Sequence, residues 1–450
     1  MSQSRLSEYA TRNVPRYTSY PTAPHFHDGV GAADYASWLG ALDPAAPISL
    51  YLHVPFCRQL CWYCGCNMKL ATREAPIADY AATLMKEIDL VAAKLPGRMT
   101  VSHLHWGGGT PTALTPDDLE RAMEVVRTHY NFAPDAELAI ESDPRTLSDE
   151  MMERIGALGF TRASFGVQEF DPKVQLAINR VQPPAMVRRA VEGLRDHGVG
   201  GVNFDLIYGL PHQTVETLLR TIDLSAEMRP DRIALFGYAH VPWMAKKQRM
   251  IDAAALPGAS ERLEQASRAT EALEAAGYVP IGLDHFALPD DAMAIAAKGG
   301  ALRRNFQGYT TDQAETMLGL GATSIGRTPS GYVQNIAETG AWARSVEAGE
   351  PPIGRGVAFA AEDRLRGAVI ERLMCRGEVD LAGIGPEFGS PPDWWARHAY
   401  QIGDVVLDGL ATFDGRTIAL TAEGAQLVRV VAAIFDAYLD ASQARHAVAV

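Results

Sequence analysis

From Ile48 onward the chain alternates two patterns of apolar and polar positions. Short runs rich in β-branched and aliphatic residues predict six strands, Ile48–Phe56, Val101–Gly107, Glu137–Asp143, Arg162–Glu169, Gly201–Tyr208 and Arg232–His240. Segments with apolar residues three and four apart predict helices over Ile77–Lys94, Pro116–His129, Val187–His197 and Glu261–Ala276. Regular strand–helix alternation is the pattern of βα units and a parallel sheet. Six successive units predict an α/β fold built as a partial barrel, with its reaction space at the C-terminal ends of the strands.

The flanks read differently. Residues 14–29, which include Arg16, Tyr17, Tyr20, Pro21 and Pro24, are rich in proline and aromatics without periodicity, and predict an extended arm. Beyond Tyr278, Gly319-Leu-Gly321-Ala-Thr323-Ser324-Ile325-Gly326 forms a second glycine-rich turn that could close the site. After Pro351-Pro352 the pattern predicts a helix around Arg364–Cys375, a hairpin at Asp414-Gly415 and a helix over Ala422–Leu439. The expected division is an arm over 1–45, a barrel over 46–290, an extension closing the site over 291–352 and a small, mainly helical domain over 353–450.

Charge narrows the choice of partner. A formal charge of −13 opposes a broad nucleic-acid surface. The helices and hairpin near the end resemble a winged-helix domain, but between Gln401 and Leu439 two Arg and no Lys face five acidic residues. A lid or packing role is expected there. No apolar run approaches the roughly 18 residues of a membrane span, and the polar start Met1–Asn13 does not read as an export signal. The expected setting is the cytoplasm.

The densest chemistry lies directly after the first predicted strand. Four of the five cysteines fall within ten positions, Cys57, Cys61, Cys64 and Cys66, and a reducing compartment favours a metal site over disulfides. Structural zinc sites typically draw ligands from two distant pairs, and no second pair exists. Three cysteines spaced C-x3-C-x2-C can each ligate one iron of a cubane and leave the fourth iron open. A four-cysteine zinc knuckle that also uses Cys66 is the alternative. Cys375 stands alone and reads as a packed apolar residue.

The predicted strand ends gather polar groups. Tyr51 and His53 share one face of the first strand. The second runs into Gly107-Gly108-Gly109-Thr110, where bare N–H groups can meet a ligand, and the others end near Glu141, Gln168, Asp205 and Ala239-His240. A carboxylate such as Glu141 or Asp205 can accept hydroxyl donors of a ligand. Arg16, Arg303 and Arg304 are candidates for binding substrate carboxylates.

The C-x3-C-x2-C loop after a strand resembles the signature of the radical S-adenosylmethionine (SAM) enzymes. The wider stretch, with Tyr51 and His53 before Cys57 and with Cys66 after Cys64, resembles the oxygen-independent coproporphyrinogen III oxidases. The resemblance runs from the Arg16-Tyr-Thr-Ser-Tyr-Pro arm to Leu420-Thr-Ala-Glu-Gly424. It implies a TIM-like partial (β/α)6 radical SAM barrel, a 4Fe-4S cluster on Cys57, Cys61 and Cys64, and an arm that closes over the substrate. It assigns Tyr51, Gly108, Glu141 and Ile325 to one SAM, and Tyr63, Gly109, Thr110, Gln168, Arg180, Asp205 and Ala239 to a second. Cys66, Tyr51 and His53 are then the residues expected to serve the reaction itself.

The implied reaction is the anaerobic oxidative decarboxylation of two propionates of coproporphyrinogen III to vinyl groups, giving protoporphyrinogen IX through a 5′-deoxyadenosyl radical. It requires an external electron donor and a terminal electron acceptor, and a monomer is expected. The alternative is a haem-binding, chaperone-like relative on the same fold, although such relatives are expected to lack Cys66 and the arm. Where the family usually has Asn, this chain has Val430, expected on a surface-like helix.

Overall fold

The computed structural model describes Tyr9 and residues 12–439, so most of the polar start and residues 440–450 lie outside the described residues. The chain forms two compact units that interleave along the sequence. One comprises residues 27–278 and 314–356, and the other residues 1–26, 279–313 and 357–450. The expected boundaries are consecutive, whereas the chain passes between the observed units after residues 26, 278, 313 and 356.

The first unit is built on a parallel sheet. Its strands are β1 (Ile48–Val54), β2 (Thr100–Gly108), β3 (Asn131–Ser142), β4 (Arg162–Gln168), β5 (Gly201–Tyr208), β6 (Arg232–Gly237) and β7 (Thr316–Leu320). β1 to β6 lie side by side in chain order, all parallel, and β7 pairs parallel to the free edge of β1. The six predicted strands are therefore present in the predicted order. The seventh arises from the stretch read as an extension, because Thr316–Leu320 is buried along its whole length and so carries no alternation. Antiparallel strands β8 (Ile325–Thr328) and β9 (Gly331–Asn335) continue the sheet beyond it.

Helices α1 (Ala75–Ala92), α2 (Pro116–His129), α3 (Asp149–Ala157), α4 (Pro172–Ala177), α5 (Pro184–Asp196) and α6 (Val215–Glu227) join the successive strands. Their starts are chemically marked. The Thr115 hydroxyl accepts from Asp118 N at 3.1 Å and the Ser148 hydroxyl from Met151 N at 3.2 Å, each satisfying a helix donor that has no partner within the helix. Leu50, Leu52, Trp106, Ile140, Phe165 and Phe204, all within 1% of full burial, fill the centre. Burying each such side chain contributes roughly 1.5–3 kcal/mol.

The second unit carries its own core. Helix Asp363–Arg376 packs near a three-stranded antiparallel sheet of Glu378–Asp380, Thr417–Leu420 and Ala411–Phe413, with the hairpin at Asp414-Gly415 as expected. The arm belongs to this core. Val14, Tyr17 and Tyr20 are buried with Leu365, Val369 and Phe435, and the Tyr17 hydroxyl donates to Asp436 Oδ2 at 3.0 Å.

The helix expected over Ala422–Leu439 is instead three short pieces, Ala422–Gln426, Val428–Ala432 and Ala433–Phe435. Leu427 leaves helical geometry at φ −110° and ψ 22°, and Val428 to Ala432 are buried on every side. That removes the solvent face of an amphipathic helix. Val430 is accordingly 5% exposed, a core position and not a surface-like one.

Candidate active site

The cysteine loop is pinched at its neck. Phe56–Cys57 pairs parallel with Lys69–Leu70, and Ala71 N donates to the Cys57 carbonyl at 3.0 Å. At its crown, Trp62 N donates to the Ile178 carbonyl at 2.9 Å and Asn179 Nδ2 to the Leu60 carbonyl at 2.7 Å. Gln248 Nε2 reaches the carbonyls of both Tyr63 and Ala239, at 2.7 and 3.1 Å, so these two predicted residues meet through a side chain the sequence reading did not include. Gly109 fits beneath the neck, since a Cβ there would stand 2.6 Å from the Phe56 carbonyl oxygen.

All five cysteines are free. A hydrogen bond from the Cys66 thiol lowers Cys64 to about 5, and the same bond pushes Cys66 up. Burial, with the nearby Cys64 and Cys61 sulfurs adding, pushes Cys57 up to about 12. Among the described residues no three His, Cys, Asp or Glu side chains converge on a single metal ion. A polynuclear cluster needs no such convergence, because each thiolate takes a different iron.

A second group is assembled by the register of the sheet. Tyr51 pairs with His105 across β1 and β2, and their rings stack with centroids 5.9 Å apart. The Tyr51 hydroxyl and His53 Nδ1 are 2.9 Å apart, and burial lowers His53 to about 4, which keeps it neutral. Glu141, on β3, faces His105 Nε2 at 3.1 Å and accepts from Gly108 N at 3.1 Å. His105 was missed by the sequence reading, although its alternation with Gly107 on one strand was the available signal.

Asp205, on β5, has no hydrogen-bond partner among the described residues. Burial raises its carboxyl to about 7, the Glu141 charge adding to the effect while Arg180 and His105 oppose it. Gln168 ends β4 at φ +67° and lies 7% exposed, a conformation that non-glycine residues adopt at a cost. Thr110 is buried and shares a 3.1 Å hydrogen bond with Thr112.

Arg180 is already engaged. Its Nε and Nη2 donate to the Gly166 carbonyl at 2.9 and 2.6 Å, and its Nη1 to Cys61 Sγ at 3.3 Å. A bidentate pair with a ligand carboxylate would have to displace those bonds. Arg145, absent from the sequence reading, donates to the same sulfur at 3.2 Å.

Ile325 starts β8, beyond the turn that follows Leu320. Gly321, at φ +91°, lets this turn approach β1 so closely that a Cβ would stand 2.4 Å from the His53 carbonyl oxygen. Tyr80 ties the two by donating to that carbonyl at 2.7 Å and accepting from Ala322 N at 2.9 Å. The three other arginines lie in the second unit. Arg303 pairs with Glu371 at 2.9 Å, while Arg304 lies over the Tyr309 ring and donates to the Arg16 carbonyl.

A parallel partial barrel with a three-cysteine loop at the C-terminal end of its first strand defines a radical SAM protein, and residues 51–225 match the model of the radical SAM superfamily. An oxygen-independent coproporphyrinogen III oxidase of Bradyrhizobium diazoefficiens is 49% identical over 442 residues, covering 98% of each chain. That of Pseudomonas aeruginosa is 42% identical over 429 residues, covering 94% of this chain and 93% of its own. The solved coproporphyrinogen III oxidase of Escherichia coli, a radical SAM enzyme, superposes with a TM-score of 0.90 at 38% identity, covering 94% of this chain and 98% of that one. The chain belongs to the oxygen-independent coproporphyrinogen III oxidase family.

Membership implies a 4Fe-4S cluster and SAM. The residues present fit both. The loop offers three sulfurs, with Cys64 already favouring its thiolate. Arg145 Nη1 is a buried donor without an acceptor, and no hydrogen bond from the described residues offsets the burial that raises the Asp205 carboxyl. No helix among the described residues is long and apolar enough to cross a membrane.

Proposed function

We propose that this chain converts coproporphyrinogen III to protoporphyrinogen IX without oxygen, decarboxylating two propionate side chains to vinyl groups. One observation carries the assignment at the level of residues. Around the pinched cysteine loop, the ends of β1, β2, β3 and β5 bring together Tyr51, His53, Gly108, Glu141 and Asp205. When bound, the cluster and SAM supply a 5′-deoxyadenosyl radical that takes hydrogen from a propionate β-carbon.

The protein's part is to hold and orient. Cys57, Cys61 and Cys64 hold the cluster, and the neck at Phe56–Cys57 fixes their loop. Glu141, itself oriented by Gly108 N and His105, accepts the ribose hydroxyls of one SAM beside Tyr51, Gly108 and Ile325. Asp205 serves a second SAM with Gln168, Thr110, Gly109, Arg180 and the Tyr63–Ala239 pair. The half-buried Asp205 carboxyl, with no hydrogen bond from the described residues to hold its charge, suits a ligand donor, which supports a second molecule.

Cys66 is exposed, hydrogen-bonded to Cys64 and outside the three-ligand spacing, so it serves the reaction and not the cluster. Neutral His53, paired with Tyr51, can accept or pass a proton near the same end of β1. Electron donor and acceptor are separate partners, the enzyme acts as a monomer, and the five free cysteines suit a reducing cytoplasm. The test is isotopic. With deuterium at the propionate β-carbons, anaerobic turnover should place the label in 5′-deoxyadenosine; unlabelled 5′-deoxyadenosine beside vinyl product would overturn the reading.

A further inference from the structure

Two guanidinium groups reach one cluster sulfur. Cys61 is the buried member of the three-cysteine set, and its Sγ receives Arg145 Nη2 at 3.2 Å and Arg180 Nη1 at 3.3 Å. Arg180 arrives from the segment after α4, already tied to the Gly166 carbonyl. Arg145 comes independently from the turn after β3 and is 3% exposed.

What fixes Arg145 is its own turn. Its backbone N donates to Asp143 Oδ1 at 3.1 Å, its Nε to the same oxygen at 2.9 Å, and its Nη2 to Oδ2 at 2.6 Å. Burial opposes ionisation of Asp143, but Arg180 and the Arg145 hydrogen bonds outweigh it and hold the carboxyl below its usual range. The guanidinium is thereby locked with one edge on Asp143 while Nη2 also meets sulfur. Nη1 is buried with no acceptor. A pair serving only to brace the turn would not need a ligand sulfur as partner or leave a donor orphaned, since an unsatisfied buried donor is destabilising.

We propose that Arg145, held by Asp143, raises the reduction potential of the cluster by donating to the Cys61 sulfur. The proposal rests on Cys57, Cys61 and Cys64 being the cluster ligands. Reduction adds one electron, taken from an external one-electron reductant, and no bond forms or breaks. Arginine keeps its proton throughout. The added negative charge spreads onto the sulfurs, where N–H donors and a nearby cation stabilise it, and both are known determinants of cluster potential. Burial of Cys61 away from water strengthens the effect.

The test is an anaerobic redox titration of the reconstituted full-length protein with dithionite, followed by electron paramagnetic resonance, without SAM or substrate. Arg145→Gln should shift the one-electron equilibrium about tenfold toward the oxidised cluster, a midpoint lower by about 59 mV. Asp143→Asn, which removes the opposing negative charge at nearly constant size while its amide oxygen can still accept from Arg145 N and Nε, should shift it the other way. Opposite signs distinguish tuning from bracing, because loss of a brace moves both variants alike. If Arg145→Gln does not retain iron, Arg145→Lys carries the test with a smaller downward shift. Midpoints within twofold of wild type in iron-replete variants, or shifts of the same sign, overturn the proposal. A wild-type protein that takes up no iron would instead refute the ligand assignment beneath it.

Discussion

The role proposed for Asp205 in binding a second SAM depends on its protonation state. Burial raises its carboxyl to about 7, so in the free protein it is a carboxylate above that pH and a neutral acid below it. A ribose hydroxyl donates better to the charged form, whose hydrogen bonds contribute roughly 1.5–3 kcal/mol against about 0.5–1.5 for neutral pairs. Equilibrium binding of labelled SAM should therefore reach two molecules above pH 7, with the weaker site losing about tenfold in affinity as pH falls toward 6. Asp205→Asn should abolish that pH dependence and leave the Glu141 site intact. A stoichiometry of one at every pH, or an unchanged profile in the variant, would contradict the role given to Asp205. Arg180 shows what residue type alone leaves out. The sequence offers a free guanidinium, whereas the fold commits it to Gly166 and Cys61.

At the scale of elements, the turn between β7 and β8 depends on one buried acid. Glu87 of α1 accepts from Gly321 N at 2.7 Å, Asn335 Nδ2 at 2.6 Å and Trp342 Nε1 at 3.0 Å. Glu87→Ala strands three donors, and the midpoint of denaturant unfolding should report a loss of about 3 kcal/mol. A loss below about 1 kcal/mol would show that the turn is held otherwise. None of this was legible in the sequence, where Glu87 sits in an amphipathic helix and looks like a solvated charge. What was legible followed local rules. β5 and α2 fall on their predicted residues because alternation and a capping threonine mark them. β3 begins six residues earlier than predicted, at Asn131, because its first half carries Pro134, lacks alternation and is exposed or half-buried throughout. β7 and the broken stretch after Thr421 escaped because full burial erases periodicity. His105 and Arg145 escaped because their roles come from cross-strand and loop neighbours far away in sequence.

At the scale of the whole molecule, the barrel unit contains the cysteine loop, the glycine run and every residue assigned here to a SAM. The second unit takes the arm into its own core through Val14, Tyr17 and Tyr20, so the arm is an ordered part of that unit. Its three candidate arginines stay with it: Arg303 pairs with Glu371, and Arg304 donates to the Arg16 carbonyl. The central claim concerns the reaction, and a haem-binding relative on the same fold is the reading it must exclude. The direct measurement is anaerobic incubation with SAM, a one-electron reductant, an electron acceptor and coproporphyrinogen III, with products identified by mass. The account predicts two successive losses of carbon dioxide plus two hydrogens, ending at protoporphyrinogen IX. Unchanged coproporphyrinogen III in the presence of an intact cluster and bound SAM would contradict it.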